Sequence, residues 1–327
     1  MKAIVIEKPG QIQVTDLPIP EIGPDEVLIR LGAMGICHSD VEILEGKFIV
    51  PVRYPIIPGH EWAGEVAQVG TQVDRVALGD KVVGDCRVGA NEYFGLTFDG
   101  SGAEFFKAKQ GWLHKVPPEL SWTQAALVEP FTVAYYALHV QGGTDASEWV
   151  AILGGGTIGL CCLAAARGMG ARTILIDPSS ERRAVAAEMG ADVTVDPSAG
   201  SIEAVVNDTT GGRGADLVLE ASGAGAALAS ALQIVAQFGR VTYVGFNIGE
   251  QVTSQLGLIQ SKDLSIKGIT GSTGVWPKAI RFIGTAGIDL SPLVSSTFRL
   301  EQADQAFEQV RRHAVGVKAH IVAADSA

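Results

Sequence analysis

Cysteine is scarce: the 327 residues include four, two of them adjacent at Cys161 and Cys162. That supply excludes the disulfide framework of a small secreted domain and points to a reducing, cytoplasmic setting. Long apolar runs are also missing. None reaches the roughly 18 residues that a membrane helix needs, so no membrane association is expected. The apolar part of Met1–Ile6 is too short for a signal peptide, and no cleavage-site pattern follows it. Basic residues are outnumbered, 25 Lys and Arg against 36 Asp and Glu for a net charge of -11, which argues against a nucleic-acid surface. Charged residues make up only 19% and hydrophobic ones 47%, so the chain is globular rather than disordered. What the sequence has in quantity is glycine, 40 residues without a collagen-like period, which suggests many tight turns and βα junctions. The length exceeds what one core usually serves, and two domains are expected.

The first third reads as short strands broken by Gly and Pro. Residues 2–6 and 11–15 flank Pro9-Gly10 as a hairpin, and Asp25–Leu31 forms a strand leading into Gly32–Gly35. A short helix over Ser39–Leu44 would be capped by Ser39 or Asp40. Glu61–Val69 and Lys81–Val83 are further strands, giving a mostly antiparallel barrel or sandwich up to about residue 115. Ser121 and Gln124 make a capping-box pattern for a helix that reaches Glu129 and is interrupted at Pro130, with another from about Val133 to Val140. Within this region Cys37, His60 and Glu61 offer the three protein ligands that a catalytic zinc takes while keeping one position open. Taken alone, they read more simply as a buried small residue and a surface pair. Glu129, an acid in an apolar helical setting, is equally open between a helix-end carboxylate and a functional one.

The next stretch is more specific. The apolar strand Trp149–Leu153 runs into Gly154-Gly155-Gly156-Thr157-Ile158-Gly159 and then a helix of small and apolar residues. This is G-x-G-x-x-G in its strand–turn–helix setting: Gly154 permits the turn, Gly156 lets a pyrophosphate approach and Gly159 lets helix and strand pack closely. The helix N-terminus supplies N–H groups to the phosphates. A second strand ends in Asp177, 18 residues past Gly159. An acid there accepts hydrogen bonds from the adenosine ribose and repels a 2′-phosphate, which favours NAD over NADP. Arg182 can cover the adenine or lie on a solvated helix face, and with Arg183 it can relax that preference. Further strands at Val193–Val195, Asp216–Glu220, Val241–Gly245 and Leu264–Gly268 alternate with helical patterns such as Glu181–Met189 and Ala226–Phe238. The fold class is therefore α/β with a doubly wound parallel sheet. Trp276–Gly284 and Leu300–His313 read as helices, and Val317–Val322 as a closing strand.

With Gly35-Ile36-Cys37-His38-Ser39-Asp40, Pro58-Gly59-His60-Glu61, Gly79-Asp80-Lys81-Val82, Glu129-Pro130, the glycine turn and Asp177 in order, essentially the whole chain resembles the medium-chain, zinc-dependent alcohol and polyol dehydrogenase family. The resemblance implies a mostly β GroES-like catalytic domain from residues 1–130 plus 272–327, with a Rossmann NAD-binding domain at 131–271 inserted. It makes Cys37 and His60 zinc ligands and Glu61 a ligand or near-ligand. Glu129 stands where sorbitol-type enzymes place a glutamate and alcohol dehydrogenases often a cysteine. Asp40 resembles the acid that orients His60, and Ser39 the hydroxyl that begins the proton relay. His38 is expected as a partly exposed loop residue. Thr132, Val133, Ile158, Val244, Gly245, Phe246 and Thr270–Ser272 fall where the family contacts nicotinamide and ribose.

Two departures stand out. Relatives often carry four cysteines that bind a structural zinc between the positions of Gly84 and Gly100, whereas only Cys86 remains here. One catalytic Zn2+ per chain and no structural one is expected, with Cys86, Cys161 and Cys162 as buried bystanders. Sorbitol-type enzymes also place an arginine and a tyrosine near Thr270-Gly271-Ser272, where Gly271 and Ser272 stand instead. Phe94, Phe98, Trp112 and Trp276 are candidates for a more apolar pocket. The implied reaction is hydride transfer between an alcohol of secondary-alcohol, polyol or sugar type and NAD, in a homodimer or homotetramer. The alternatives are a zinc-free quinone or enoyl reductase, for which Cys37, His60 and Glu61 would be unneeded, and a non-catalytic NAD-binding protein.

Overall fold

A computed structural model describes residues 1–249 and 251–323. The first stretch gives strands β1 (Lys2–Lys8), β2 (Gln11–Asp16) and β3 (Glu26–Gly35), helix α1 (His38–Glu45), then β4 (Glu61–Val69), β5 (Lys81–Gly84), β6 (Phe105–Lys109) and β7 (Leu113–Lys115). Helices α2 (Trp122–Ala126) and α3 (Val128–His139) follow. Strands and helices then alternate: β8 (Trp149–Leu153), α4 (Thr157–Gly168), β9 (Arg172–Ile176), α5 (Ser180–Glu188), β10 (Val193–Val195) and α6 (Ile202–Thr209). The series continues with β11 (Ala215–Glu220), α7 (Gly225–Ile234), β12 (Val235–Tyr243), α8 (Gly257–Ser261), β13 (Ser265–Gly268) and α9 (Trp276–Thr285). Strand β14 (Val294–Arg299), helix α10 (Ala303–Arg311) and strand β15 (Lys318–Val322) complete it. No helix among the described residues is long and apolar enough to cross a membrane.

Two compact units emerge, Met1–Glu129 with Val294–Ala327, and Pro130–Leu293. In the first, a seven-stranded sheet runs β14-β15-β3-β4-β5-β7, with β6 also paired to β3, beside the β1–β2 hairpin. The long strand β3 is central: β15, β4 and β6 all pair with it antiparallel. Its core holds Trp62, Phe94 and Phe106, with Trp62 and Phe106 edge-to-face at 4.8 Å. Phe94 is spent in this packing and is 2% exposed. The second unit is a parallel sheet in the order β10-β9-β8-β11-β12-β13. Its strand order reverses beside β8, the position at which open α/β sheets bind ligands outside the strand C-termini.

Several expectations need correction. The break expected after Gly271 falls after Leu293, because α9 belongs to the inserted unit. That helix buries Ala279, Ile280 and Ile283, its Phe282 stacks on Phe131 and packs against Tyr135, and its Trp276 is itself buried. Helix α1 is capped by Cys37 rather than by Ser39 or Asp40, since Asp40 at the third helical position reaches back to the Cys37 N–H at 2.8 Å. His38 is accordingly the first helical residue, and exposed. Pro130 does not interrupt a helix. It lies in the first turn of α3, where a backbone N–H has no helical acceptor to lose. The helix expected over Ala226–Phe238 ends at Ile234, and Val235 and Ala236 turn inward as the start of β12. Phe238 is left 71% exposed at positive φ.

Candidate active site

In the first unit, strand ends bring separate parts of the chain together. Cys37 lies two residues beyond β3, Glu61 opens β4 with His60 just before it, and Gly35 pairs with Glu61 on one side and His320 on the other. The ligating atoms of Cys37, His60 and Glu61 all fall within 4.8 Å of one another. A tetrahedral zinc with bonds of about 2.0–2.3 Å separates its ligands by roughly 3.5 Å, so a small inward movement suffices. Sulfur, imidazole and carboxylate are also the donor types zinc takes. The residues fit the metal.

Asp40 organises this cluster. One of its oxygens accepts from the Cys37 N–H at 2.8 Å, and the other accepts from the Gly59 N–H at 3.2 Å and faces His60 Nδ1 at 3.5 Å. A fully buried carboxylate thus ties the two ligand-bearing backbones together and directs one imidazole nitrogen, leaving the opposite one for a metal. Burial opposes protonation of His60, but the Asp40 carboxylate and the thiols of Cys86 and Cys37 outweigh it and hold the imidazole well above its ordinary pKa. Ser39 is half-buried in the first turn of α1.

Glu129 lies outside the group of mutually close donors, though it belongs to the same electrostatic neighbourhood. Burial pushes its carboxyl up to about 7, with His60 and Lys318 opposing the rise and Glu61 and Asp40 adding to it. Cys86 packs against the core of this unit and lies outside the group of mutually close donors. Burial pushes its thiol far above the usual range, and His60, Glu129, Cys37 and Asp40 all act on it.

Two residues here escaped the sequence reading. Lys318 on β15 is 4% exposed and pairs with Glu61, and His320, on the same face, is fully buried with neither ring nitrogen hydrogen-bonded. Burial, reinforced by Lys318, lowers the His320 pKa to about 3, so the ring is neutral. The available signal was a lysine and a histidine spaced two apart in a strand whose other residues are apolar.

In the second unit, Gly154 follows β8 at φ +106, a conformation that favours glycine. A Cβ on Gly159 would lie 1.8 Å from the Gly154 carbonyl oxygen, so only glycine lets α4 sit this close. A Cβ on Gly156 would meet nothing within 4 Å, leaving open space at the start of α4, beside half-buried Ile158. Asp177 accepts from the Gly155 N–H at 2.6 Å and from the Ser179 N–H at 2.8 Å, with Arg182 at 3.9 Å. Arg183 turns away, donating to the carbonyls of Asp177 and Pro178 and pairing with Asp196 at 3.0 Å. Thr132 is buried and meets Ser272 at 2.7 Å, next to half-buried Val133. Val244 and Gly245 donate to the Glu220 carbonyl, while Phe246 and Thr270 are exposed. Glu220 is the missed organiser: buried at the end of β11, it accepts from Ser222 N–H, Ser222 Oγ and Gly223 N–H with one carboxylate oxygen.

Comparison with known proteins places these features. The zinc-binding dehydrogenase family matches residues 157–285, and the alcohol dehydrogenase GroES-like domain matches residues 23–118. A sorbitol dehydrogenase from Bacillus subtilis (strain 168) is 32% identical over 335 residues, covering 94% of this chain and 93% of its own. The chain belongs to the medium-chain, zinc-type alcohol and polyol dehydrogenase family. The family's alcohol and polyol oxidoreductase chemistry, acting on small-molecule alcohols, comes with that membership. Among solved structures, 2R,3R-butanediol dehydrogenase from Bacillus subtilis superposes with a TM-score of 0.89 at 29% identity, covering 98% of this chain and 99% of the other. A zinc-binding dehydrogenase from Sinorhizobium meliloti 1021 bound to NADP gives 0.89 at 29% identity, with 98% of each chain covered.

Proposed function

We propose that the chain is a zinc-dependent dehydrogenase that transfers hydride between a secondary alcohol, polyol or sugar alcohol and NAD. The observation that carries this reading is the approach of Cys37, His60 and Glu61 donors to within 4.8 Å in a chain that also has the glycine turn and Asp177. Cys37 and His60 hold the metal, with a carboxylate from Glu61 or Glu129. When bound, zinc polarises the substrate oxygen and lowers the pKa of the alcohol. Asp40 fixes the His60 ring, and Ser39 passes the hydroxyl proton toward solvent. Gly154, Gly156 and Gly159 receive the pyrophosphate at the N-terminus of α4, and Asp177 accepts the adenosine ribose hydroxyls. Its carboxylate disfavours a 2′-phosphate, and Arg182 flanks the adenine. Thr132, Val133, Ile158, Val244, Gly245 and Thr270 contact the nicotinamide half. The cofactor carries the redox chemistry, and the protein aligns it.

The substrate class follows from the polyol names among the relatives, sorbitol and butanediol dehydrogenases, while Gly271 and Ser272 argue against a strict polyol enzyme. Lack of a Cys₄ lobe supports one zinc per chain. Homodimer or homotetramer assembly and a cytoplasmic location complete the proposal. It is tested by a panel of polyols, sugars, amino alcohols and simple alcohols on zinc-loaded protein with NAD and with NADP. Cys37→Ser should remove zinc and activity together; turnover by a metal-free variant would refute the assignment, and faster turnover with NADP would overturn the cofactor choice.

A further inference from the structure

Glu61 does not face the metal position alone. Its Oε1 accepts a hydrogen bond from Lys318 Nζ at 2.8 Å, and the same nitrogen lies 2.6 Å from Oε2. The second contact is off the line of a hydrogen bond, so Oε2 feels the charge and keeps its lone pair. Lys318 also donates to the carbonyl of Ile36, the residue before Cys37, at 3.1 Å. The two side chains of the ion pair are 4% and 3% exposed, so the contact is unscreened by water. The ammonium is held in place by the sheet itself, because Ile36 N–H donates to the Ala319 carbonyl at 3.0 Å and β15 pairs with β3.

A carboxylate so placed has two cations to serve. The ammonium already holds one oxygen, and its charge repels a divalent ion a few ångströms away. We propose that Lys318 is a positioning residue that competes with the metal for Glu61, keeping this carboxylate from becoming a full-strength ligand. The inference rests on the metal reading above, with Glu61 as the carboxylate beside Cys37 and His60. Its consequence is chemical. A catalytic zinc needs an open position, and a Glu61 freed of its ammonium would bind both more tightly and more completely, leaving less room for an alcohol oxygen.

Lys318→Met keeps the length and apolar stem of the side chain and removes the charge. Zinc affinity, read by competition with a chromophoric chelator, should tighten at least tenfold in this variant. The absorption spectrum of the cobalt(II)-substituted protein should move toward a higher coordination number. Lys318→Arg should retain the wild-type affinity and spectrum. In a Glu61→Gln background the Lys318→Met change should have no effect on affinity, because the contested carboxylate is gone. That double variant also removes both buried charges, so it reports even if Lys318→Met folds poorly without metal. In that event the zinc-dependent rise in Tm reads the same affinity difference. Unchanged or weaker zinc binding by Lys318→Met, or an equal gain in the Glu61→Gln background, would overturn the inference while leaving the metal site intact. Wild-type protein that takes up no zinc would overturn the metal assignment itself, and this inference with it.

Discussion

Gly35 shows how closely the site is built at the level of single atoms. A Cβ placed there would fall 2.6 Å from Glu61 Oε2 and 3.6 Å from His320 Nε2. The carboxylate is held by Lys318 and cannot swing freely aside, so an added methyl displaces the Glu61 head from the cluster. Gly35→Ala is expected to weaken zinc binding about tenfold or more while costing on the order of 1–3 kcal/mol of stability, as overpacking does. Chelator competition and thermal unfolding check the two parts, and wild-type zinc affinity in this variant would sink the account. The same scale shows what the sequence could and could not disclose. Cys37, His60, Glu61 and Asp40 stood out only through the family resemblance of the two short motifs that carry them, since taken alone they read as a buried small residue and a surface pair. Lys318 and His320 did not, since their relation to Glu61 and Gly35 is made by strand pairing across more than 250 residues of chain.

At the scale of elements, βα alternation and the glycine turn read directly, because a buried parallel strand is a run of apolar residues ending in a turn signal. The Ser121–Gln124 capping box is present with both hydrogen bonds, at 2.9 and 3.2 Å. The misreadings came where one local rule met another. Asp40 looked like a cap and is instead the third-position partner of one. Pro130 looked like a breaker but occupies the one turn that tolerates it. Ala226–Phe238 kept a helical pattern past Ile234, where pairing of Val235 with Ala215 draws the chain into the sheet.

Strand β15 carries a prediction of its own. Burial lowers the folded pKa of His320 to about 3 from its ordinary 6.5, so the unfolded chain binds a proton that the folded one refuses. Stability from this group is therefore intact above about pH 6.5 and falls as the pH drops from there toward about 3, by up to about 1.4 kcal/mol per unit. His320→Leu should remove that slope. Urea midpoints of wild type and variant would diverge progressively below about pH 6.5, and parallel curves would refute the buried neutral ring.

For the whole molecule, only one of the two units brings together, among the described residues, a group of donors that could hold a metal. The Trp62, Phe94 and Phe106 core of the first unit is closed by apolar packing, with no Cys₄ lobe to be held by an ion. Chelation is therefore expected to abolish turnover while leaving the far-ultraviolet circular dichroism at 25 °C unchanged, and one zinc per chain should restore activity. Metal analysis giving two zinc ions per chain, or unfolding on chelation, would contradict this.

The long stretch of chain between Glu61 and Lys318 sets an order of events in biosynthesis. Glu61 precedes Lys318 by 257 residues. At about 5–20 residues per second, the ribosome takes on the order of ten seconds to a minute to cover that interval. Throughout it, the thiol, the imidazole and the carboxylate are already made, and the ammonium that pairs with Glu61 is not. On the role proposed for Lys318, a nascent site with these three donors and no counter-charge would hold metal more strongly than the finished sheet does. Insertion of β15 between β14 and β3 would then bring the ammonium to Glu61 and loosen the grip on the metal in one step.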